Sequence, residues 1–366
     1  MGRSRISVWS IVIRQKMAGI EPLRGFPHVR TSLRTSAVCA AATLLALVTG
    51  PAHASEPASD RCQDLTFPVP QGTVAATLCL PDGPTDTVMV LMSGSNYNHV
   101  YWDFPYQPET YNFRQAMNQA GYATLVADRL GNGASTRPLS VSLTATATAE
   151  ALHGMVTALR AGLAGNAPFT TVVTAGHSLS SGTSVMEATG YHDVDGVLLT
   201  GYSHTLSVPD VLGVISTYQQ AVDDPGFAGR GYDPGYLVTR PGTRAADFYG
   251  LDPDPRVVAL DEATKETFSL TEYPDGLLST LPGMSSFISA PVLIVDGSRD
   301  RMVCGPGFGT CTDTATLYAA EQQYFSPAAR LRTHVVPDSG HAVNLAPNTG
   351  GYHAVVLDWM RSIAGH

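Results

Sequence analysis

Three residues that lie far apart in the sequence have the types needed for nucleophilic catalysis. Ser178 lies in the segment 176–180 (G-H-S-L-S), and Asp300 and His341 each follow a later apolar run. A serine hydroxyl attacks an ester at neutral pH only when a base takes its proton and an acid orients that base. The residue types and their order therefore predict a Ser-His-Asp triad.

The segment around Ser178 predicts a sharp turn from a strand into a helix. Residues 169–175 (F-T-T-V-V-T-A) are apolar or β-branched and lack proline, which predicts a buried strand. Such a turn pushes the serine hydroxyl clear of the backbone, and the N-terminus of the following helix favours negative charge that develops there. The usual pattern for this turn is G-x-S-x-G. The present segment departs from it because Ser180 stands where the last glycine is expected.

The acid and the base each have an alternative. Asp296 directly follows the apolar run P-V-L-I-V and is placed to end the strand, whereas Asp300 lies in the loop beyond it. We favour Asp300 because catalytic side chains converge in such loops. We favour His341 as the base because it follows the predicted strand 331–336. His177 adjoins the serine, but neighbouring side chains on a sharp turn point apart.

Short apolar runs alternate with helical patterns along the chain, and these elements must position the three residues. The predicted strands are 65–69 and 73–80, which form a hairpin, and 86–92, 122–127, 169–175, 194–200, 291–295 and 331–336. The predicted helices are 109–120, 145–162 and 351–363. Continuous apolar strands separated by helices predict an α/β fold, with a mostly parallel sheet covered on both faces.

The interval 203–290 breaks this alternation. It has no comparable apolar run, and several Asp-Pro pairs mark turns within it. An insertion of this length between two sheet strands is typical of a cap over a site. We therefore predict a core formed by 55–202 and 291–366, and a cap formed by 203–290. The tyrosines of the cap either line an apolar substrate cleft or pack its own interior.

The first 54 residues predict export of the protein. Arginines precede the apolar segment 37–48, and the small-x-small sequence 52–54 (A-H-A) follows it, which is the order of a secretory signal peptide cleaved after Ala54. Met1 and Met17 are alternative start sites, because the basic region is long. The apolar segment is shorter than the roughly 20 residues that span a bilayer. We therefore expect a secreted protein with no stable membrane anchor.

The predicted mature chain is strongly acidic. Residues 1–54 hold seven of the 22 Lys and Arg residues but one acidic residue, which leaves residues 55–366 with 15 basic and 30 acidic side chains and a net charge of −15. Nucleic acids and anionic membranes bind basic surfaces. We therefore expect neither of them as a partner, and the sequence leaves the oligomeric state open.

Four cysteines follow the predicted cleavage site, in two local pairs. Cys62 and Cys79 flank the predicted hairpin, and Cys304 and Cys311 bracket a loop rich in Gly and Pro. Two local disulfides are the economical interpretation in an oxidising compartment. A metal site at these cysteines is disfavoured, because neither pair has Cys-x-x-Cys spacing and no histidine cluster completes one.

The order of these motifs resembles the α/β-hydrolase family over essentially the whole predicted mature chain. Residues 128–135 (D-R-L-G-N-G-A-S) match the D-x-x-G-x-G-x-S loop of that family. Residues 91–95 (L-M-S-G-S) stand in the place of its H-G-x oxyanion turn, with Ser93 instead of the histidine. The resemblance implies the α/β-hydrolase fold, with a mostly parallel central sheet flanked by helices and a cap insertion.

The resemblance also implies an oxyanion hole and a reaction. The backbone N–H groups of Leu179 and Ser95 would hold the oxyanion, with Asn96 as the alternative to Ser95, and each donor is worth roughly 3 kcal/mol. The implied reaction is hydrolysis of a small-molecule carboxylic ester through an acyl-enzyme, which requires no metal or organic cofactor. Lipase, peptidase and acyltransferase reactions on the same triad are alternatives. A non-catalytic binding protein on this scaffold is a rival of another class.

Overall fold

Strands of two sheets lie in the part of the chain that the computed structural model describes, residues 61–163 and 165–365. In chain order they are β1 (Arg61–Val69), β2 (Gly72–Leu80), β3 (Thr87–Met92), β4 (Ala123–Ala127), β5 (Thr171–His177), β6 (Gly196–Thr200), β7 (Tyr218–Gln220), β8 (Tyr236–Thr239), β9 (Phe268–Ser269), β10 (Val292–Gly297) and β11 (Arg332–Val336). The larger sheet has the order β1-β2-β4-β3-β5-β6-β10-β11, and the smaller has the order β7-β8-β9. The predicted signal peptide lies outside the described residues.

Helices connect these strands and flank the larger sheet. In chain order they are α1 (Pro108–Tyr111), α2 (Phe113–Gln119), α3 (Ala145–Ala161), α4 (Leu179–Tyr191), α5 (Val208–Ile215), α6 (Arg244–Phe248), α7 (Pro255–Ala263), α8 (Glu272–Gly276), α9 (Thr314–Glu321) and α10 (Thr349–Ala364). Among the described residues, no helix combines the length and the apolar character needed to cross a membrane.

The prediction of a single helix over 109–120 is wrong, because Asn112 separates two helices, α1 and α2. The backbone of Asn112 is extended, with φ −87° and ψ 96°. Its side chain accepts a hydrogen bond from the N–H of Gln115 and so caps α2, while its amide donates to Asp103. Asparagine favours such caps because its side chain competes with the helical backbone for hydrogen bonds.

The larger sheet is mostly parallel, as predicted. The strands β4, β3, β5, β6, β10 and β11 pair in parallel, whereas β1 and β2 run antiparallel to their neighbours. The central strands β3, β4 and β6 are buried along their whole length. Parallel strands carry their carboxyl ends to one edge of the sheet, and ligands bind there at the point where the strand order reverses. Ser178, Asp300 and His341 all follow strands at this edge.

The interval 203–290 contains a small antiparallel sheet that the sequence did not predict. Its strands β7, β8 and β9 have only two to four residues each, which is too short for apolar periodicity to reveal. Tyr218 packs against Phe268 across this sheet, and Tyr232 packs against Tyr236. Tyr218 therefore packs within the interval. The Tyr236 hydroxyl donates to the carbonyl oxygen of Pro138 and Arg137 lies over the ring of Tyr232, so these two tyrosines join the interval to the segment between β4 and α3. That residues 203–290 form a cap distinct from the core stays a prediction.

The four cysteines pair as predicted. A disulfide joins Cys62 to Cys79 at directly opposed positions of β1 and β2. A second disulfide joins Cys304 to Cys311 and closes the loop that follows β10. Crosslinks of this kind stabilise a fold mainly because they restrict the unfolded chain. The second one restrains the loop that begins just after Asp300.

Candidate active site

Ser178 lies at the turn between β5 and α4 in a strained backbone conformation. Its φ is 55° and its ψ is −121°, a combination that residues with a side chain rarely adopt. Glycine is required nearby for close approach: a Cβ on Gly176 would lie 2.3 Å from the carbonyl oxygen of Ser180. A Cβ on Gly94 would lie 2.8 Å from the Cβ of Ser178, so the turn after β3 packs directly against the serine.

Ser180, the departure from the usual pattern, makes a hydrogen bond that glycine could not make. Its side chain is fully buried, and its hydroxyl donates to the carbonyl oxygen of Ser93 at 2.6 Å. Ser93 begins the turn that follows β3. The first turn of α4 is therefore tied to the segment that is predicted to form the oxyanion hole.

The structure brings His341 and Asp300 together. Nδ1 of His341 lies 2.6 Å from Oδ2 of Asp300, and both side chains are almost fully buried. The other carboxylate oxygen of Asp300 accepts a hydrogen bond from the N–H of Met302 at 2.9 Å. The carboxylate is thereby held by its own loop and can orient the imidazole.

Asp296 has a different environment. It lies within β10 without exposed surface, and its Oδ1 accepts a hydrogen bond from the N–H of Tyr202 at 2.9 Å. Burial, and after it the charge of Asp300, raises the pKa of Asp296 well above its usual value. Asp296 is therefore bonded within the sheet and makes no hydrogen bond to His341 among the described residues.

Ser178 and His341 line one cavity of about 90 Å³. No hydrogen bond joins the Ser178 hydroxyl to His341 among the described residues, and catalytic contacts are often long in the absence of substrate. The other walls are mainly apolar. They include side chains of the segment around α5 and of the loop after β10, namely Leu206, Val211, Val214, Ile215, Met302 and Val303.

Leu179, one of the predicted oxyanion donors, lines this cavity. Leu179 is the first residue of α4, so its N–H has no partner within the helix. Within the described residues, neither this N–H nor that of Ser95 donates a hydrogen bond to another protein group. The same is true of Asn96, so the choice between Ser95 and Asn96 stays a prediction.

His177, the residue before Ser178, packs beside His341. It is fully buried and stacks on the ring of Tyr101, with ring centroids 4.3 Å apart, while its centroid lies 4.9 Å from that of His341. Burial, and after it the charge of His341, lowers the pKa of His177 well below its usual value. His177 therefore stays neutral, so the serine turn adds no second charge beside His341.

Arg244 is a residue at the site that the sequence did not indicate. It is fully buried, and its guanidinium binds both carboxylate oxygens of Asp261, at 2.6 and 2.9 Å. It also donates to the carbonyl oxygen of Asn96 at 3.1 Å and lies over the ring of Tyr97. The interval 203–290 therefore braces the turn after β3. No local pattern distinguishes Arg244 from the other three arginines of the interval.

A second Ser-His-acid set lies near the cavity, and no motif in the sequence marks its histidine, His204. The Ser285 hydroxyl lies 3.0 Å from Nε2 of His204, and Nδ1 of His204 lies 2.5 Å from Oε2 of Glu321. All three side chains are fully buried, and none of them lines the cavity. This set joins two parts of the interval 203–290 to α9.

The strand order, the strained serine turn and the Asp300–His341 pair at the carboxyl edge define an α/β-hydrolase fold. The family model described as "Alpha/beta hydrolase family" matches residues 89–350. The chain therefore belongs to the α/β-hydrolase family, as the motifs of the sequence predicted.

Solved structures support the same fold. The chain is similar to the α/β hydrolase GrgF from Penicillium sp. sh18, with 16% identity, a TM-score of 0.55 and coverage of 83% of this chain and 99% of that chain. It is similar to the carboxylesterase CesB from Bacillus subtilis, with 16% identity, a TM-score of 0.53 and coverage of 82% and 91%. A thermophilic esterase from Thermogutta terrifontis shows 17% identity, a TM-score of 0.50 and coverage of 82% and 99%. A search of the curated proteins finds no match.

Proposed function

We propose that this protein is a serine hydrolase that cleaves small-molecule carboxylic esters. One observation carries the proposal: the strained Ser178 and the Asp300-bound His341 line the same apolar cavity. Membership in the α/β-hydrolase family supports the reaction class, and the esterases among the similar structures fit it.

In the proposed mechanism, Nε2 of His341 takes the proton of Ser178 while Oγ attacks the ester carbonyl. Asp300 stabilises the imidazolium, and the N–H groups of Leu179 and Ser95 bind the oxyanion. The tetrahedral intermediate collapses, and His341 returns the proton to the departing alcohol. Water then attacks the acyl-enzyme with His341 as base, which releases the acid and restores Ser178.

The size and the apolar walls of the cavity favour a substrate with a short, uncharged acyl group. Its volume of about 90 Å³ is well below the roughly 300–1,000 Å³ of pockets that hold drug-sized ligands. The apolar walls disfavour a charged group, because its desolvation would have no compensation. We expect kcat/KM to be higher for p-nitrophenyl acetate and butyrate than for p-nitrophenyl octanoate. A preference for the octanoate ester would contradict this substrate class.

A fluorophosphonate probe tests the proposed nucleophile. We expect the wild-type protein to be labelled once, and mass spectrometry of the digested protein to locate the adduct on Ser178. Labelling that disappears in a folded Ser178→Ala variant supports the proposal. An unlabelled wild-type protein, or an adduct on another serine, would overturn it and favour a binding protein on a hydrolase scaffold.

Hydrolysis of esters at a lipid surface is a second candidate function, and one observation favours it. Leu277 lines the cavity and is 44% exposed, while Val208 and Leu212 of α5 are 61% and 59% exposed. The sequence alone gave no clear sign of such an apolar face. The discriminating measurement is the rate on tributyrin: an abrupt rise above its solubility limit indicates a lipase, and simple saturation indicates an esterase.

We also propose that the protein is secreted. The two disulfides support an oxidising compartment, and the predicted signal peptide supplies the route. Intact-mass analysis of protein recovered from the medium of an expressing culture tests this proposal. The expected mature chain begins at Ser55, and a retained N-terminal segment would contradict the predicted cleavage.

A further inference from the structure

Three side chains of metal-ligand type meet between α3 and the end of α4. They are His153 of α3, Glu187 of α4 and Asp193 of the loop after α4, and their ligand atoms all lie within 4.8 Å of one another. Nδ1 of His153 lies 2.9 Å from Oδ2 of Asp193 and 3.8 Å from Oε1 of Glu187. None of the three lines the cavity of Ser178.

Glu187 is the unusual member of this cluster. It has no exposed surface, and neither of its carboxylate oxygens has a hydrogen-bond partner within the described residues. A buried carboxylate without a partner is costly, so such a group normally contacts a cation or takes up a proton. A divalent cation between the two carboxylates would give Glu187 a partner of opposite charge.

We propose that His153, Glu187 and Asp193 bind a divalent transition-metal ion of the Zn²⁺ type. One imidazole and two carboxylates suit zinc, whereas Ca²⁺ takes six to eight oxygen ligands and Mg²⁺ retains most of its water. Zinc lies roughly 2 Å from nitrogen and oxygen ligands, so small side-chain shifts bring all three atoms to one ion. Water would occupy the remaining position.

The surroundings hold the ligands and leave an entry path. The ring of Tyr191 stacks on that of His153, with centroids 3.6 Å apart and planes 5° apart, which fixes the imidazole. The side chains of His153 and Asp193 keep 32% and 26% of their surface exposed, so an ion can enter from solvent. The guanidinium of Arg160 is bound to the carboxylate of Asp195 at 2.6 Å and donates to the backbone carbonyl of Asp193.

The site is structural in this proposal, and it is independent of the proposed ester chemistry. An ion there crosslinks α3 to α4 and to the loop that follows. Because α4 begins with Leu179, its position bears on the serine turn at the other end of the helix. The crosslink should therefore raise thermal stability without supplying a group to the reaction.

Titration of zinc into untagged protein that has been stripped with a chelator tests the proposal. We expect calorimetry to give one Zn²⁺ per chain and thermal unfolding to shift to higher temperature, with no shift for Ca²⁺ at the same concentration. Glu187→Gln keeps the shape of the side chain and removes its charge, so it should weaken zinc binding by at least about tenfold. Asp193→Asn serves as a second ligand variant should Glu187→Gln fail to fold.

His192→Asn is the matched control. His192 adjoins Asp193, but it is exposed and outside the cluster, and asparagine tolerates its positive φ of 55°. This variant should bind zinc as the wild type does. The proposal is overturned if zinc at about a hundredfold excess causes no shift, if the ligand variants bind as tightly as the wild type, or if His192→Asn abolishes binding.

Discussion

Two Ser-His-acid sets lie among the residues that the structure describes. In one set hydrogen bonds join all three side chains, but that set lines no cavity; the other set lines a cavity, but its serine is not bonded to its histidine. In the buried set, Ser285 contacts His204 and His204 contacts Glu321. In the open set, His341 contacts Asp300, whereas Ser178 makes no hydrogen bond to the histidine among the described residues. Hydrogen bonding alone therefore does not identify a nucleophile.

What distinguishes the two sets is the environment of the serine. Ser178 is half-buried at a cavity, has a positive φ and lies beside backbone N–H groups that no protein acceptor uses. Ser285 has no exposed surface and begins a short 3₁₀ helix, Ser285–Phe287, with ordinary helical backbone. Access, strain and oxyanion donors are the features that catalysis requires, and they coincide at Ser178 only.

The largest expected effect separates the two serines. Ser178→Ala should lower kcat for a p-nitrophenyl ester by about 10⁶-fold, because no other group can form the acyl-enzyme. Ser285→Ala should leave kcat unchanged and lower stability by about 1–3 kcal/mol, because His204 loses a buried partner. Steady-state kinetics and denaturant unfolding measure both variants. Loss of activity in a folded Ser285→Ala protein would make the buried set the catalytic one.

The second largest expected effect separates the two acids, Asp300 and Glu321. Asp300→Asn should lower kcat by about 10⁴-fold, because the amide no longer stabilises the imidazolium and favours the wrong tautomer of His341. Glu321→Gln should lower the unfolding free energy and leave kcat close to that of the wild type. An equal loss of activity in the two variants, with both proteins fully folded, would contradict separate roles for the two sets.

A smaller effect is expected at Ser180. Ser180→Ala leaves the buried carbonyl of Ser93 without its hydroxyl donor, so we expect a kcat lower by roughly tenfold and a stability loss of about 1–3 kcal/mol. Ser181→Ala is the matched control, since that buried hydroxyl donates to the carbonyl of Thr200 instead. Ser181→Ala should cost stability but not kcat. Equal kcat losses in both variants would refute a specific link to the oxyanion turn.

The smallest effect concerns Asp296, whose pKa is raised first by burial and then by the charges of Asp300 and, more weakly, Glu321 of the other set. A carboxyl with a raised pKa in the folded state binds its proton more tightly than the unfolded chain does. Its stabilising contribution is therefore complete below its unfolded pKa, near 4, and is lost as the pH rises toward its folded pKa. The free energy of unfolding of the wild type should therefore fall as the pH rises through this window, and that of the Asp296→Asn variant should fall less. Parallel curves would show that Asp296 is not the group responsible.

Much of the fold was predictable from the sequence because its signals are local. The apolar runs that became β3, β5, β6 and β10 are continuous in the chain, and so are the strand-helix turn at Ser178 and the cysteine pairs. The split helix at Asn112 was missed because a single cap residue decided it against the amphipathic pattern. The short strands β7, β8 and β9 were missed because pairing across the interval, and not periodicity, defines them.

Local patterns in the chain predict the fold class, favour the two disulfides and place Ser178, Asp300 and His341 after strand ends, because each of these signals lies in a short continuous segment. The catalytic roles of those three residues stay a proposal. Only the tertiary structure revealed the hydrogen bond of Ser180, the brace of Arg244, and the clusters around His204 and His153. These contacts join residues from separate elements, and long-range packing leaves no local pattern in the chain.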